Sequence, residues 1–358
     1  MQGDILRRRP AAWRVGLFRA AWVAMGVLVV ACAPLRWEMQ VSPGKGPLVW
    51  PPPPNPAKAE FLGEITGFVQ EGHSLKTLLL GREAPGRIVA PVAVAVGEDG
   101  RLAVADSAVK GVHFYLPKEK RYLLLAEALE EAFVSPVSVI FDQDRNLYVA
   151  DSALRKVFVF DEQGGYTRQI ATAGTAPFGR PTGLAYLERT QELQVVDTSA
   201  HRIHAFDAKG GYRGSFGSRG NGPGEFNLPT HIASDEQDRL YVTDAMNFRA
   251  QVFSEPNALL ASFGHHGDGS GDFAMPKGIA VDRWGTIYVA ETLFDCVQLF
   301  NIQGEYLMSI GGQGTGQGQF WMPSGIFVDR QDRLYVCDTY NKRVQMFQLA
   351  DLSAGGMR

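Results

Sequence analysis

Cysteine is scarce: Cys32, Cys296 and Cys337 are the only three in 358 residues. Three thiols cannot build a disulfide framework, and no Cys-x-x-Cys-His haem attachment or zinc-type Cys/His cluster occurs. Cys296 and Cys337 leave two readings open, a bond between neighbouring repeats or two small buried hydrophobes. Helical periodicity is missing as well. No segment carries a convincing 3.6-residue apolar stripe. The one local exception, Ala126–Ala132 (AEALEEA), reads as a short helical or irregular insert. Long hydrophobic runs are also absent. The longest, Ala20–Ala31, has 12 residues, short of the ~20 that a membrane span requires. Positive charge is not in excess. The chain is −3, and because residues 1–31 hold five Arg and one Asp, the remainder is −7. An acidic body lacks the basic face that dominates nucleic-acid affinity, so no nucleic-acid partner is expected. Neither a Gly-x-Ser-x-Gly elbow nor a His-Glu-x-x-His helix is present.

The N-terminus has the organisation of an export signal. Arg7, Arg8, Arg9, Arg14 and Arg19 precede the apolar run, and Val29-Val30-Ala31-Cys32 follows it directly. The basic, apolar and small-residue order is that of a secretory signal. The last four residues resemble a bacterial lipobox, with Val29 where Leu is usual. That resemblance implies cleavage before Cys32, acylation of Cys32 and a membrane anchor. Arg7-Arg8-Arg9 lacks the residues that follow a twin-arginine pair. Ala33 provides no acidic retention signal, which favours the outer membrane in a two-membrane cell. Ser42–Lys58 (SPGKGPLVWPPPPNPAK) contains four consecutive prolines, a composition that favours a stiff polyproline spacer. The expected organisation is a signal peptide at 1–31, a Pro-rich tether at 32–58, a folded body at 59–350 and a tail at 351–358.

The body is repetitive, and the repeat decides the fold. Prolines at 91, 136, 181, 229, 276 and 323 each open a short apolar stretch. Acids at Asp106, Asp151, Asp197, Asp244, Glu291 and Asp338 each end a second stretch of the form Leu-Tyr-Val-Ala-Asp. Both series advance by 45 to 48 residues, room for four short strands and their turns. Within a stretch the side chains alternate with period two: Leu240 and Val242 against Tyr241 and Thr243. Three links between repeats, Phe216–Pro229, Phe263–Pro276 and Ile310–Pro323, share one glycine spacing. A strand follows each, so the glycines serve tight loops; a phosphate cradle would need a following helix.

Gly-x-x-Gly-x-Gly-x-Gly-x-Phe-x-x-Pro, followed by (Leu/Ile)-Tyr-Val-x-(Asp/Glu), resembles the NHL-repeat family. The likeness spans residues 59–350 and implies an all-β, six-bladed β-propeller of four-stranded antiparallel blades. Blade one (Leu102-Ala-Val-Ala-Asp106) and blade three, entered through Pro177–Pro181, depart from the pattern. Blade six lacks a fourth strand. Phe61-Leu-Gly-Glu-Ile65 resembles the fourth strands Tyr212–Phe216 and Tyr306–Ile310. Residues 60–66 are therefore expected to close the last blade and cover its edge.

An acid recurring in every blade serves the blade, through backbone N–H groups of the turn it opens and through Arg155, Arg202, Arg249 or Arg343. Function is expected where blades differ. After the prolines the chain offers Val92, Val137, Thr182, Thr230, Lys277 and Ser324. Thr230, His231, Lys277 and Ser324 are the candidate ligand-binding group at a channel mouth. His201 with His204, and His265, His266, Asp268 and Asp272, are weaker metal candidates, since three converging ligands are needed. The expected role is a lipid-anchored scaffold in the cell envelope that binds a protein or ligand. It needs no cofactor, although a structural or channel metal stays open. The alternatives are a metal-dependent propeller enzyme of lyase or lactonase type, or an accessory subunit of an envelope electron-transfer complex. The expected contacts are the membrane, through Cys32, and a protein partner.

Overall fold

Alternating sequence becomes alternating structure in a computed structural model that describes residues 36–71, 86–256 and 258–351. The signal peptide and Cys32 lie outside the described residues. Among those described, no helix is long and apolar enough to cross a membrane. Five four-stranded antiparallel sheets follow one another along the chain. Blade one, for example, is Pro91–Val96, Leu102–Asp106, Gly111–Leu116 and Arg121–Leu125. Each inner strand opens at one of the six prolines. Proline is tolerated there because a first strand residue can do without a ladder N–H.

The sixth blade is composite. Pro323–Val328, Arg333–Asp338 and Arg343–Leu349 come from the C-terminal end, and Ala59–Gln70 supplies the outer strand. The register runs from Ala59 opposite Leu349 to Ile65 opposite Val344. Phe61 and Ile65 are buried on this strand, while Leu62 faces outward. Arg343 ties the seam, bonding Asp338 at 2.8 Å and Glu64 at 2.6 Å.

Part of the expected tether is folded. Trp37–Pro43 pairs along the outside of Ala59–Gln70, and Val49–Trp50 pairs with Ala59 and Glu60. Aromatic packing is the reason. The Trp37 ring lies 4.9 Å from Tyr122, and Trp50 lies 5.5 Å from Phe347. The segment Ala126–Ala132 is corrected too. Glu127–Ala128 and Glu131–Ala132 form a minimal hairpin. Leu129 and Glu130 turn it at φ 48 and 64, the left-handed pair that such hairpins need.

The repeated acids are structural in every blade. Each is buried. Asp151 accepts N–H bonds from Val134 and Ser135 before the proline and from Ala153 and Leu154 in its own turn. The residue four places beyond the acid is left-handed in all six blades: Lys110, Arg155, His201, Phe248, Asp295 and Lys342. None is glycine, so the carboxylate network holds a conformation these residues seldom adopt. Arg249 and Arg343 also pair with their acids. The glycine links are held by a glutamine of the third strand. Gln251 accepts from the Gly224 N–H and donates to the Glu225 carbonyl, and Gln298 and Gln345 repeat this. Phe226, Phe273 and Phe320 wedge from these links into the core between blades. Cys296 and Cys337 are free and buried, so they serve as core residues.

Candidate functional site: the central cavity

The inner strands enclose a cavity of about 990 Å³. Its lining begins with the third residues of the inner strands, such as Ser138, Gly183, His231 and Gly325. It ends among the turns that follow those strands. The exposed side chains Glu98, Glu236 and Arg330 and the half-buried Glu188 stand there, so the cavity opens on that side. At the other end neighbouring blades nearly touch. A Cβ at Gly183 would lie 2.9 Å from the Thr230 carbonyl oxygen, and one at Gly325 would lie 2.4 Å from that of Val92. Glycine at these positions permits the close approach.

A second repeated acid shapes the wall. Asp142, Asp235, Asp282 and Asp329 each cap the turn after an inner strand. Each also accepts the hydroxyl of the tyrosine in the Leu/Ile-Tyr-Val strand: Tyr148, Tyr241, Tyr288 and Tyr335, at 2.8 to 3.1 Å. Asp282 has backbone and hydroxyl partners and no cation, and burial raises its carboxyl above the usual range. In blades one and three both members are missing together. Gly97 and Ala103 replace them in blade one, and Leu187 and Gln194 in blade three, whose turn is one residue longer. Glu188 begins that longer turn. It pairs with Arg330 of the opposite blade, and Arg330 also reaches Glu98 at 2.6 Å. One guanidinium thus bridges three blades across the cavity mouth. The pairing was legible in the joint loss of Asp and Tyr; the bridge had no local signal.

The four expected site residues separate. His231 lines the floor of the cavity, and its Nδ1 is buried without a hydrogen-bond partner. Burial and the nearby Lys277 push its pKa down to about 3, so the imidazole is neutral. Thr230 and Lys277 lie one strand position beyond the floor and do not line the cavity. Ser324 belongs to the ring seam. It is buried, donates to the Pro91 and Val92 carbonyls, and lies 2.8 Å from the Thr339 hydroxyl. Thr198, Thr292 and Thr339 make equivalent bonds to the proline carbonyls of the next blade. Ser324 is therefore corrected from ligand contact to blade staple, because its hydroxyl is already used.

The histidine candidates do not converge. His265 pairs with Asp272 at 2.8 Å, His266 packs edge-on against Phe248, and His201 Nδ1 accepts the Leu228 N–H. His204 lies buried 3.9 Å from Asp197. Among the described residues, no three His, Cys, Asp or Glu side chains are grouped to hold a metal ion. Around the cavity Asp142, Asp235, Asp282 and Asp329 are engaged by turns and tyrosines, and Glu98 and Glu188 by Arg330.

Six blades closed by an N-terminal strand, with repeated walls and a rim that varies from blade to blade, define a six-bladed β-propeller. The sequence comparisons agree: residues 106–179 and 186–247 match the family described as 6-bladed beta-propeller, and residues 320–347 match the NHL repeat. No curated protein matches the chain. Among solved structures, it is similar to virginiamycin B lyase from Staphylococcus aureus, with 13% identity over 74% of this chain and 96% of that one, TM-score 0.54. A gluconolactonase from Xanthomonas campestris is 16% identical over 86% and 99%, TM-score 0.57. An auxiliary nutrient binding protein from Bacteroides thetaiotaomicron is 10% identical over 75% and 71%, TM-score 0.57. At these identities the likeness concerns the fold.

Proposed function

We propose that this protein is a cell-envelope binding propeller, exported and anchored through acylated Cys32, that holds a small ligand in its central cavity. One observation carries the reading: the repeat breaks down where side chains face the cavity. Asp and Tyr repeat in the wall, whereas the rim position seven residues after each inner-strand proline varies, Glu98, Gln143, Glu188, Glu236, Arg283 and Arg330, and blade four alone places a histidine, His231, at the floor. Repetition serves the ring, and departures from it serve a ligand. The lining carries more acids than arginines, which favours cationic or hydrogen-bond-donating ligands. The neutral His231 side chain forms part of the cavity floor and adds no positive charge there.

The enzyme reading has its support in the lyase and lactonase neighbours, whose printed functions belong to those proteins. No catalytic metal set supports it among the described residues. A ligand screen by thermal shift separates the cases. The panel is polyamines, amino sugars, gluconolactone and quinupristin, tested on the full chain and on Ala233→Trp, which fills the cavity. Ligands should raise the melting temperature of the parent alone, without turnover of the two ester probes. Equal shifts in both proteins, or none in either, would sink the cavity reading; turnover would make it an enzyme. For the anchor, Cys32→Ser should abolish palmitate labelling and release the protein from membranes.

A further inference from the structure

Opposite the cavity mouth, where the inner strands begin, blades four to six expose large apolar side chains. Each blade gives one from the link before its proline and one from the turn after its repeated acid. These are Leu228 and Met246, Met275 and Leu293, and Trp321 and Tyr340. Met246, Leu293, Trp321 and Tyr340 are 51%, 54%, 47% and 57% exposed. Backbone bonds hold the two loops of each blade together: Met246 N–H to the Asn227 carbonyl, Thr292 to Met275, and Tyr340 to Trp321. The Trp321 and Tyr340 rings are 5.5 Å apart. Blades one and three offer Ala90, Ala108, Arg180 and Ser199 at these places, and blade two offers one apolar side chain, Val134, with Ala153 in the turn. The apolar surface is therefore a crescent over three consecutive blades, larger than a lone exposed side chain, and such patches mark interaction sites.

Lys277 stands at the middle blade of this crescent. The equivalent positions elsewhere are short and neutral. Its ammonium is half-buried, and burial alone acts on it, lowering its pKa with no carboxylate to oppose the shift. Beside it two further groups lack partners, Thr230 Oγ1 and His231 Nδ1. Thr230 is idle for a visible reason: Thr243 already donates to the Lys277 carbonyl at 2.8 Å, where a staple from blade four would go. Thr243 lies opposite His231 in the sheet, which brings His231 alongside Lys277. A half-buried cation without an anion, next to unsatisfied hydrogen-bonding groups, is costly unless a partner completes it.

We propose that this crescent docks a protein partner that places a carboxylate, flanked by apolar side chains, against Lys277. Charge complementarity selects the carboxylate. Size selects a protein, since aromatic and methionine side chains spread over three blades suit a macromolecular interface. A lipid surface is read by clusters of Lys and Arg. Segments 227–229, 245–247, 274–277, 292–294, 321–324 and 339–341 contain one basic residue, Lys277.

The test uses the full chain in phosphatidylcholine nanodiscs. Two fluorescein-labelled tetrapeptides of leucine and tryptophan, one with a free C-terminal carboxylate and one amidated, are titrated by anisotropy. The carboxylate peptide should bind about tenfold more tightly, as one charge-assisted contact allows. Lys277→Met should erase that difference. Leu293→Asp should weaken both peptides, while Ala233→Trp should change neither, because the cavity is a separate site. Melting temperatures confirm that each variant is folded. Equal affinity for acid and amide, a difference that survives Lys277→Met, or no saturable binding at millimolar peptide overturns the proposal. So does binding to phosphatidylglycerol vesicles without peptide binding, which would assign the face to lipid.

Discussion

Phe61→Ala tests the closure of the ring. Phe61 is 3% exposed on the N-terminal strand of blade six, and its ring meets Phe347 edge-on at 5.6 Å. It packs in one core cluster with Leu334, Val336 and Leu349 from the other end of the chain. Truncating a buried Phe to Ala costs about 3–5 kcal/mol, from lost transfer energy and the cavity left behind. The unfolding entropy is about 2.1 cal/mol/K per residue near 60 °C, so a fold of about 290 residues has ~0.6 kcal/mol/K. The melting temperature should therefore fall by about 5–8 °C in calorimetry of the full chain. Leu62→Ala is the control. It lies on the same strand but faces outward, and its shift should stay within about 1 °C. If the two variants melt together, the N-terminal strand does not pack against the last blade in solution, and closure must come from elsewhere.

His231 makes stability depend on pH. The unfolded chain protonates this residue near its ordinary value of 6.5, whereas the folded protein keeps it neutral down to about 3. The unfolded state binds the extra proton in that window, so stability falls with falling pH by up to about 1.4 kcal/mol per unit. His231→Gln should lose about 2 kcal/mol less than the parent between pH 6 and 4 in urea denaturation; equal losses would remove His231 from the acid response. Tyr288→Phe deletes the 2.9 Å hydroxyl bond to the buried, cation-free Asp282. It should cost about 1–3 kcal/mol in the same assay, and a change below about 0.5 would show that the carboxylate does not depend on that bond. Arg330→Ala breaks two solvent-exposed pairs and should shift stability by no more than about 1 kcal/mol, since such pairs contribute little. A loss above about 2 kcal/mol would make the bridge a structural member of the ring.

The periodic features were legible because each is enforced within one blade. Spacing of the prolines and acids gives the blade count, since every repeat must make the same turn with the same carboxylate. Phe61-Leu-Gly-Glu-Ile65 was identifiable as a fourth strand because it copies the alternation of Tyr212–Phe216 and Tyr306–Ile310. The tyrosine–aspartate pair was equally present in the repeats, visible once blades one and three are seen to lose both partners. Trp37–Pro43 was read as spacer because nearby prolines dominate the composition, while its alternating Trp37 and Met39 find their partners on Phe68 and Tyr122 only after the ring has closed.

Sequence alone determined the class, the number of blades, the structural role of the repeated acids and the strand that joins the chain ends. Tertiary structure decided which end of the ring opens into the cavity. It also consumed Ser324 in a seam while leaving Thr230 without a partner, and brought Arg330 to Glu188 across 142 positions of sequence. The physical reason is one of range. Strand alternation and turn capping are local and recur, so they leave a period in the chain. Contacts across the ring join residues from different blades once each, and a contact made once leaves no pattern to read.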